Sequence, residues 1–164
     1  MGSTYFSRAY AAVIGVGCAL MLAVCGCAQL PVDPEGTLEG VRAHTLRVGL
    51  SPNPDFVNIQ GSDYSGSEVS LVRDFAEHLE TEPEFVVAGE ETLVKQLETG
   101  QLDLVVGGIS SKTPWTDQVG LTRAYRETVD ALGEDVKLVI LVRPGENAFL
   151  SELEYFLDQR GHTT

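Results

Sequence analysis

Leu97-Glu98-Thr99-Gly100-Gln101-Leu102-Asp103-Leu104-Val105-Val106-Gly107-Gly108 is the stretch that decides the fold. Leu93, Val94 and Leu97 recur at helical spacing, so the spacing predicts a helix over 91–99. Gly100 is its stop, because glycine takes the left-handed backbone of a helix C-terminus without steric cost. The apolar run 102–107 is too short for a helix and rich in valine, which reads as a buried strand. That strand runs into Gly108-Ile109-Ser110-Ser111. A helix, a glycine stop and a buried strand in immediate succession are half of an α/β unit.

The same alternation extends in both directions. Leu46-Arg47-Val48-Gly49-Leu50 reads as a strand, followed by a Pro/Asn/Asp-rich loop from Ser51 to about Gly66. Ser67 to Glu80 is helical, with Val69, Leu71, Val72, Phe75, Ala76 and Leu79 on one face and Ser67 able to cap its start. Glu84 to Ala88 and Val136 to Arg143 read as strands, Pro144-Gly145 as a turn, and 146–159 as a last helix. Strands alternating with helices imply a single α/β lobe, a mainly parallel sheet with helices on both faces. Ligands of such sheets sit at the carboxyl ends of the strands, here Ser51–Asn58 and Gly107–Trp115.

The chain has 164 residues, of which 43% are hydrophobic, enough for one packed domain and a targeting segment. Acidic side chains outnumber basic ones 24 to 11, for a net charge of −13. No Lys/Arg cluster exists to neutralise phosphates, so nucleic acid is excluded as a partner. The three cysteines, Cys18, Cys25 and Cys27, all fall at the start, leaving the body no disulfide framework and no thiolate zinc site. Histidines stand apart at 44, 78 and 162. Neither a metal nor a cofactor is expected.

Arg8 is the only charged residue before Asp33. A short apolar run follows it and ends in small residues, the layout of a secretory signal. Val24-Cys25-Gly26-Cys27 resembles a bacterial lipobox, with Cys27 as the lipidated residue because the small Gly26 precedes it. This divides the chain into a signal peptide over 1–26, a lipidated Cys27 with a Pro/Gly-rich tether to residue 44, a lobe over 45–160 and a tail over 161–164. An uncleaved membrane anchor is the other reading, since residues 9–32 carry no charge. Both readings hold the acidic body on the extracytoplasmic side of a membrane.

Leu46–Pro52, Gly66-Ser67-Glu68-Val69-Ser70-Leu71, Leu93–Gly100 with Leu102–Ile109, and Thr122-Arg123-Ala124-Tyr125 fall in a familiar order. Over about 80 residues the chain resembles the first lobe of family 3 extracellular solute-binding proteins, the receptors of polar amino-acid ABC transporters. The resemblance implies a periplasmic-binding-protein-like lobe, a small polar solute as ligand and an ABC permease or membrane sensor as partner. Members of that family carry a second lobe inserted near Tyr125. Here only residues 126–135 separate Tyr125 from the returning 137–143 segment. The second lobe is missing, so a two-lobe closure within one chain is impossible. A homodimer or another protein would have to supply the second wall.

The resemblance places ligand contacts on the loop after strand one, the end of strand three and an arginine just beyond it. Asn53, Asp55 and Phe56 sit on the first loop, although Pro52-Asn53-Pro54-Asp55 is equally ordinary turn chemistry. Ser110 and Ser111 offer hydroxyl and N–H donors at the strand end. Trp115 stands where the arginine belongs, and no planar fork for a carboxylate remains. Trp115 is either a stacking platform for a solute or a cover for the sheet edge. Glu68 matches an acidic position of the family, and a first-turn helix acid explains it as well.

No Ser-His-Asp order, phosphate loop or Walker motif occurs, so the sequence gives no reason to expect an enzyme. The expected function is that of an extracytoplasmic lipoprotein resembling the substrate-binding component of an ABC transporter, binding a small polar solute weakly or with a partner. The alternative is an interaction or sensory module on the same half-scaffold, with no small-molecule ligand.

Overall fold

The computed structural model describes residues 31–130 and 132–161. The predicted signal segment and Cys27 lie outside them. In chain order the elements are α1 (Thr37–Ala43), β1 (Thr45–Leu50), β2 (Asn58–Gln60), β3 (Asp63–Ser65), α2 (Ser67–His78), β4 (Glu82–Val87), α3 (Glu90–Glu98), β5 (Leu104–Val106), β6 (Gly120–Leu121), β7 (Arg126–Val129), β8 (Asp135–Leu138), β9 (Leu141–Val142) and α4 (Asn147–Gly161).

Alternation along β1 sorts the core into two faces. Leu46, Val48 and Leu50 point to one side, with Leu104, Val106, Ile140 and Val142, where α1, α2 and α4 cover them through Val41, Phe75 and Phe149. Val105, Leu141 and Val139 point to the other side, against Leu93, Val94 and Leu97 of α3. Gly49 faces α3 as well, and a Cβ there would stand 2.8 Å from Val105 and 2.9 Å from Leu102. The missing side chain is what lets α3 seat so close.

The central sheet has the order β4-β1-β5-β9-β6. β4, β1 and β5 run parallel, in register Val48↔Phe85 and Val48↔Leu104. β9 and β6 close the far edge antiparallel. The fold is thus the α/β lobe expected, with helices on both faces of a mainly parallel sheet. At the other edge, Ala88 N–H donates to Leu50 O, which by alternation turns Pro83, Phe85 and Val87 outward. Pro83 therefore has no outward N–H to offer, a common guard on an exposed strand edge.

Several details differ from the sequence reading. The α2 cap is Gly66, with no side-chain cap bond, so Ser67 is the first helical residue and not the cap. The 51–66 loop holds the short β2–β3 hairpin. The segment expected as one strand over 136–143 is two, β8 and β9, because the chain leaves one sheet for another between them. The short link expected over 126–135 is most of a β-hairpin, β7 pairing with β8 in register Arg126↔Leu138 to Val129↔Asp135. Ser111 N–H donates to Lys137 O at 2.8 Å and Ser110 bridges Leu138, fastening the hairpin to the lobe.

Residues 33–43, expected within the tether, belong to the fold. Asp33 Oδ1 accepts from Ala148 N at 2.6 Å and Phe149 N at 3.0 Å, capping α4, while Oδ2 accepts from Leu38 N at 2.9 Å. In return Glu146 Oε2 accepts from Thr37 N at 2.9 Å and Oε1 from Glu35 N at 3.1 Å. Each acid satisfies the orphan N–H groups where the other's helix begins. A seven-residue helix alone is too short to be stable, and this exchange is what holds α1 in place.

Candidate functional site

The carboxyl ends of β1 and β5 form a crest built from 51–57 and 107–111. Gly107 and Gly108 let the chain turn there. Gly108 lies at φ +68, and a Cβ on it would stand 2.5 Å from Asn53 Nδ2 as well as striking the Phe56 ring. Asn53 Nδ2 donates to Gly107 O at 3.0 Å, and Asn53 Oδ1 accepts from Asp55 N at 3.3 Å. Phe56 is half-buried over the α2 side, while the Asp55 side chain is exposed. Asn53 is thus the strut between the two crest loops.

Glu68 lies beneath, 1% exposed at the start of α2. Its Oε2 accepts from Gly108 N at 2.8 Å, and its Oε1 accepts from the Tyr125 hydroxyl. Burial pushes the Glu68 carboxyl above its ordinary value, against the bonds from Tyr125, Gly108 and Gly107 and the charge of Arg126. Burial and the adjacent Glu68 carboxylate push the Tyr125 phenol up as well. Glu68, Tyr125 and Arg126 border a cleft of about 430 Å³ beside the C-terminal end of α4.

Ser110 Oγ accepts from Lys112 N at 3.1 Å and thereby shapes its own turn. Ser111 is partly exposed beside β8. Trp115 lies on the α3 side of the sheet, packed against that core cluster, with Nε1 donating to Glu90 Oε1 at 2.5 Å. Phe56 and Trp115 therefore flank opposite faces. The structure brings Asn53, Phe56, Glu68 and Gly108 together at one knot, sets Ser110 and Ser111 beside the hairpin, and holds Trp115 apart on α3.

Tyr125 and Glu90 are the residues that sequence reasoning missed. Glu90 carries no local signal, because no periodicity joins it to an indole 25 residues away. Arg123 is exposed and holds Glu154 and Asp158 of α4. Among the described residues, no group of three or more His, Cys, Asp or Glu side chains could hold a metal ion. Among them too, no helix is long and apolar enough to cross a membrane.

A family profile for bacterial extracellular solute-binding proteins, family 3, matches residues 46–161, from β1 to the end of α4. The chain belongs to that family. The family's extracellular character places the chain outside the cytoplasm. No curated protein matches the sequence. Solved structures do match in fold. A point mutant of the arginine-bound form of domain 1 from TmArgBP superposes with a TM-score of 0.68 at 21% identity, covering 76% of this chain and 98% of that one. An ancestral cationic amino acid solute binding protein gives a TM-score of 0.69 at 15% identity, covering 77% and 94%. A Salmonella typhimurium periplasmic binding protein with high arginine specificity gives 0.64 at 13% identity, covering 73% and 94%. The match to an isolated domain 1 agrees with a single lobe over the described residues.

Proposed function

We propose that this family 3 lobe is the solute-binding component of an uptake or sensing system, held at the membrane through a lipid on Cys27. Its ligand is a small polar solute of the amino-acid class, taken at the crest formed by Asn53, Asp55, Phe56, Ser110 and Ser111. The family match over the whole lobe carries this reading, and the arginine ligands of the structural neighbours make cationic amino acids the first candidates. Glu68 acts beneath the crest as a positioning residue, since both its oxygens are engaged. Trp115 supports α3. Binding at a single wall is weak, because a small ligand normally buries most of its surface between two. An ABC permease or membrane sensor is the downstream partner.

A specific observation favours a second reading, an interaction module with no solute. Asn53 and Ser110 spend polar groups on neighbouring main chain, and the Trp115 indole, standing where the resemblance puts a carboxylate-gripping arginine, is spent on Glu90.

Thermal denaturation of the full chain in detergent, with arginine, lysine, other amino acids and small organic acids, separates the two. A ligand at 100 times its Kd adds about 2.7 kcal/mol, a shift of several degrees for a domain of this size. A saturable shift supports solute binding. A cooperative melt that no compound moves overturns it in favour of the interaction module.

A further inference from the structure

Val129 and Leu132 keep 62% and 87% of their surface exposed at the tip of the β7–β8 hairpin, which stands where the second lobe would depart. Asp130 N–H donates to Glu134 O, marking the hydrogen-bonded positions of that ladder. Alternation then turns the main-chain groups of Arg126 and Thr128 toward β8 and those of Glu127 and Val129 outward. Among the described residues, β7 pairs with β8 alone. Its outer edge carries no proline, in contrast to β4 with Pro83.

We propose that the β7 edge pairs antiparallel with β7 of a second copy, about a two-fold axis at Thr128. In this register Glu127 lies opposite Val129 of the partner subunit, and Val129 opposite Glu127 of the partner subunit. Those are the outward-facing positions, so four N–H···O bonds form. Arg126 falls opposite Asp130 of the partner subunit. The turn uses only Oδ1 of Asp130, which accepts from Leu132 N and Glu134 N. Thr128 meets its own copy, a favourable cross-strand pair. Sliding the strands so that Glu127 faces its own copy would set like charges opposite one another. A net charge of −13 opposes association through most of the surface, whereas this edge sets Arg126 opposite an acid of the second copy.

The contact falls well below the roughly 1,000 Å² of a stable interface, so the dimer is weak and concentration-dependent. β8 is bridged to Ser110, so the four-stranded ribbon would join the two crests. That last consequence rests on the half-site reading; the pairing itself does not.

Sedimentation velocity of the full chain in detergent, from micromolar to near-millimolar protein and without solute, tests it. The wild type is expected to pass from monomer to dimer. Val129→Pro removes an outward N–H and no β7–β8 bond, so it should remain monomeric with an unchanged circular dichroism spectrum. Thr128→Cys should form an intermolecular disulfide under mild oxidation beyond any that the wild type's own cysteines produce, while Lys137→Cys should not. A wild type monomeric throughout, a folded Val129→Pro that dimerises normally, or a Thr128→Cys that fails to cross-link overturns the proposal. A dimer that takes up no solute removes the half-site reading and leaves the pairing; solute uptake by a strict monomer does the reverse.

Discussion

The Tyr125 hydroxyl donates to Glu68 Oε1 while Gly108 N–H donates to Glu68 Oε2, so one buried carboxyl ties the start of the hairpin, the end of β5 and the first turn of α2 together. Three segments far apart in sequence meet on a single side chain.

Glu68→Ala should cost about 2–3 kcal/mol, because it leaves a buried N–H and a hydroxyl without their acceptor. Glu68→Gln should cost less. The folded carboxyl titrates above its ordinary value of 4.5. Its contribution is therefore fully present below that value and is lost as pH rises through the raised folded value. Urea melts across that window should show Glu68→Gln losing less stability with rising pH than the wild type.

Glu146 carries the opposite sign. Burial works to raise it, but bonds from Thr37 and from the Glu35 and Thr37 main chain, with the charge of Arg143, hold it below 4.5. Its contribution is present above that value and is lost as pH falls through the lowered folded value. Melts of Glu146→Gln below the ordinary carboxylate range should converge on the wild type.

Asp33→Ala removes the acceptor for two N–H groups of α4 and one of α1. A cost of about 1–2 kcal/mol is expected, the upper range for a helix cap. Amide hydrogen exchange should show faster opening at Ala148 and Phe149. Unchanged stability would return residues 33–43 to the role of a tether.

Asp103, 1% exposed, accepts from Arg47 N at 2.9 Å and from Nε at 3.0 Å, while Arg47 Nη1 donates to Gly100 O at 2.6 Å. Arg47 is partly exposed, which moderates the pair's worth. Asp103→Ala should still cost about 2–3 kcal/mol, read by urea denaturation, because a main-chain N–H loses its acceptor together with the guanidinium.

Trp115→Phe and Glu90→Ala should each destabilise the lobe by about 1–2 kcal/mol through loss of the indole hydrogen bond. Because they break the same contact, the double variant should cost less than the two added together, a coupling measurable in a double-mutant cycle. Additive losses would detach Trp115 from Glu90.

The lobe was legible because its signals are local. The 3.6-residue spacing of Leu93, Val94 and Leu97, the stop at Gly100 and the valine run to Gly107 each depend on neighbours a few residues away. The crest loops followed from the rule that ligands gather at strand ends. The split of 136–143 into β8 and β9 was not legible, since both halves are equally apolar and only their pairing partners differ.

By itself, then, the sequence determined the α/β class, the main alternation of strands and helices and the place of the crest. Periodicity carries that information, and it is a property of the chain alone. Only the tertiary structure decided that Asp33 and Glu146 exchange helix caps, that Glu68 is spent on Gly108 and Tyr125, and that Trp115 belongs to α3. It also decided that β7 and β8 form a hairpin with one open edge. Those outcomes depend on which distant donor meets which acceptor once water is excluded, and no local pattern encodes that meeting.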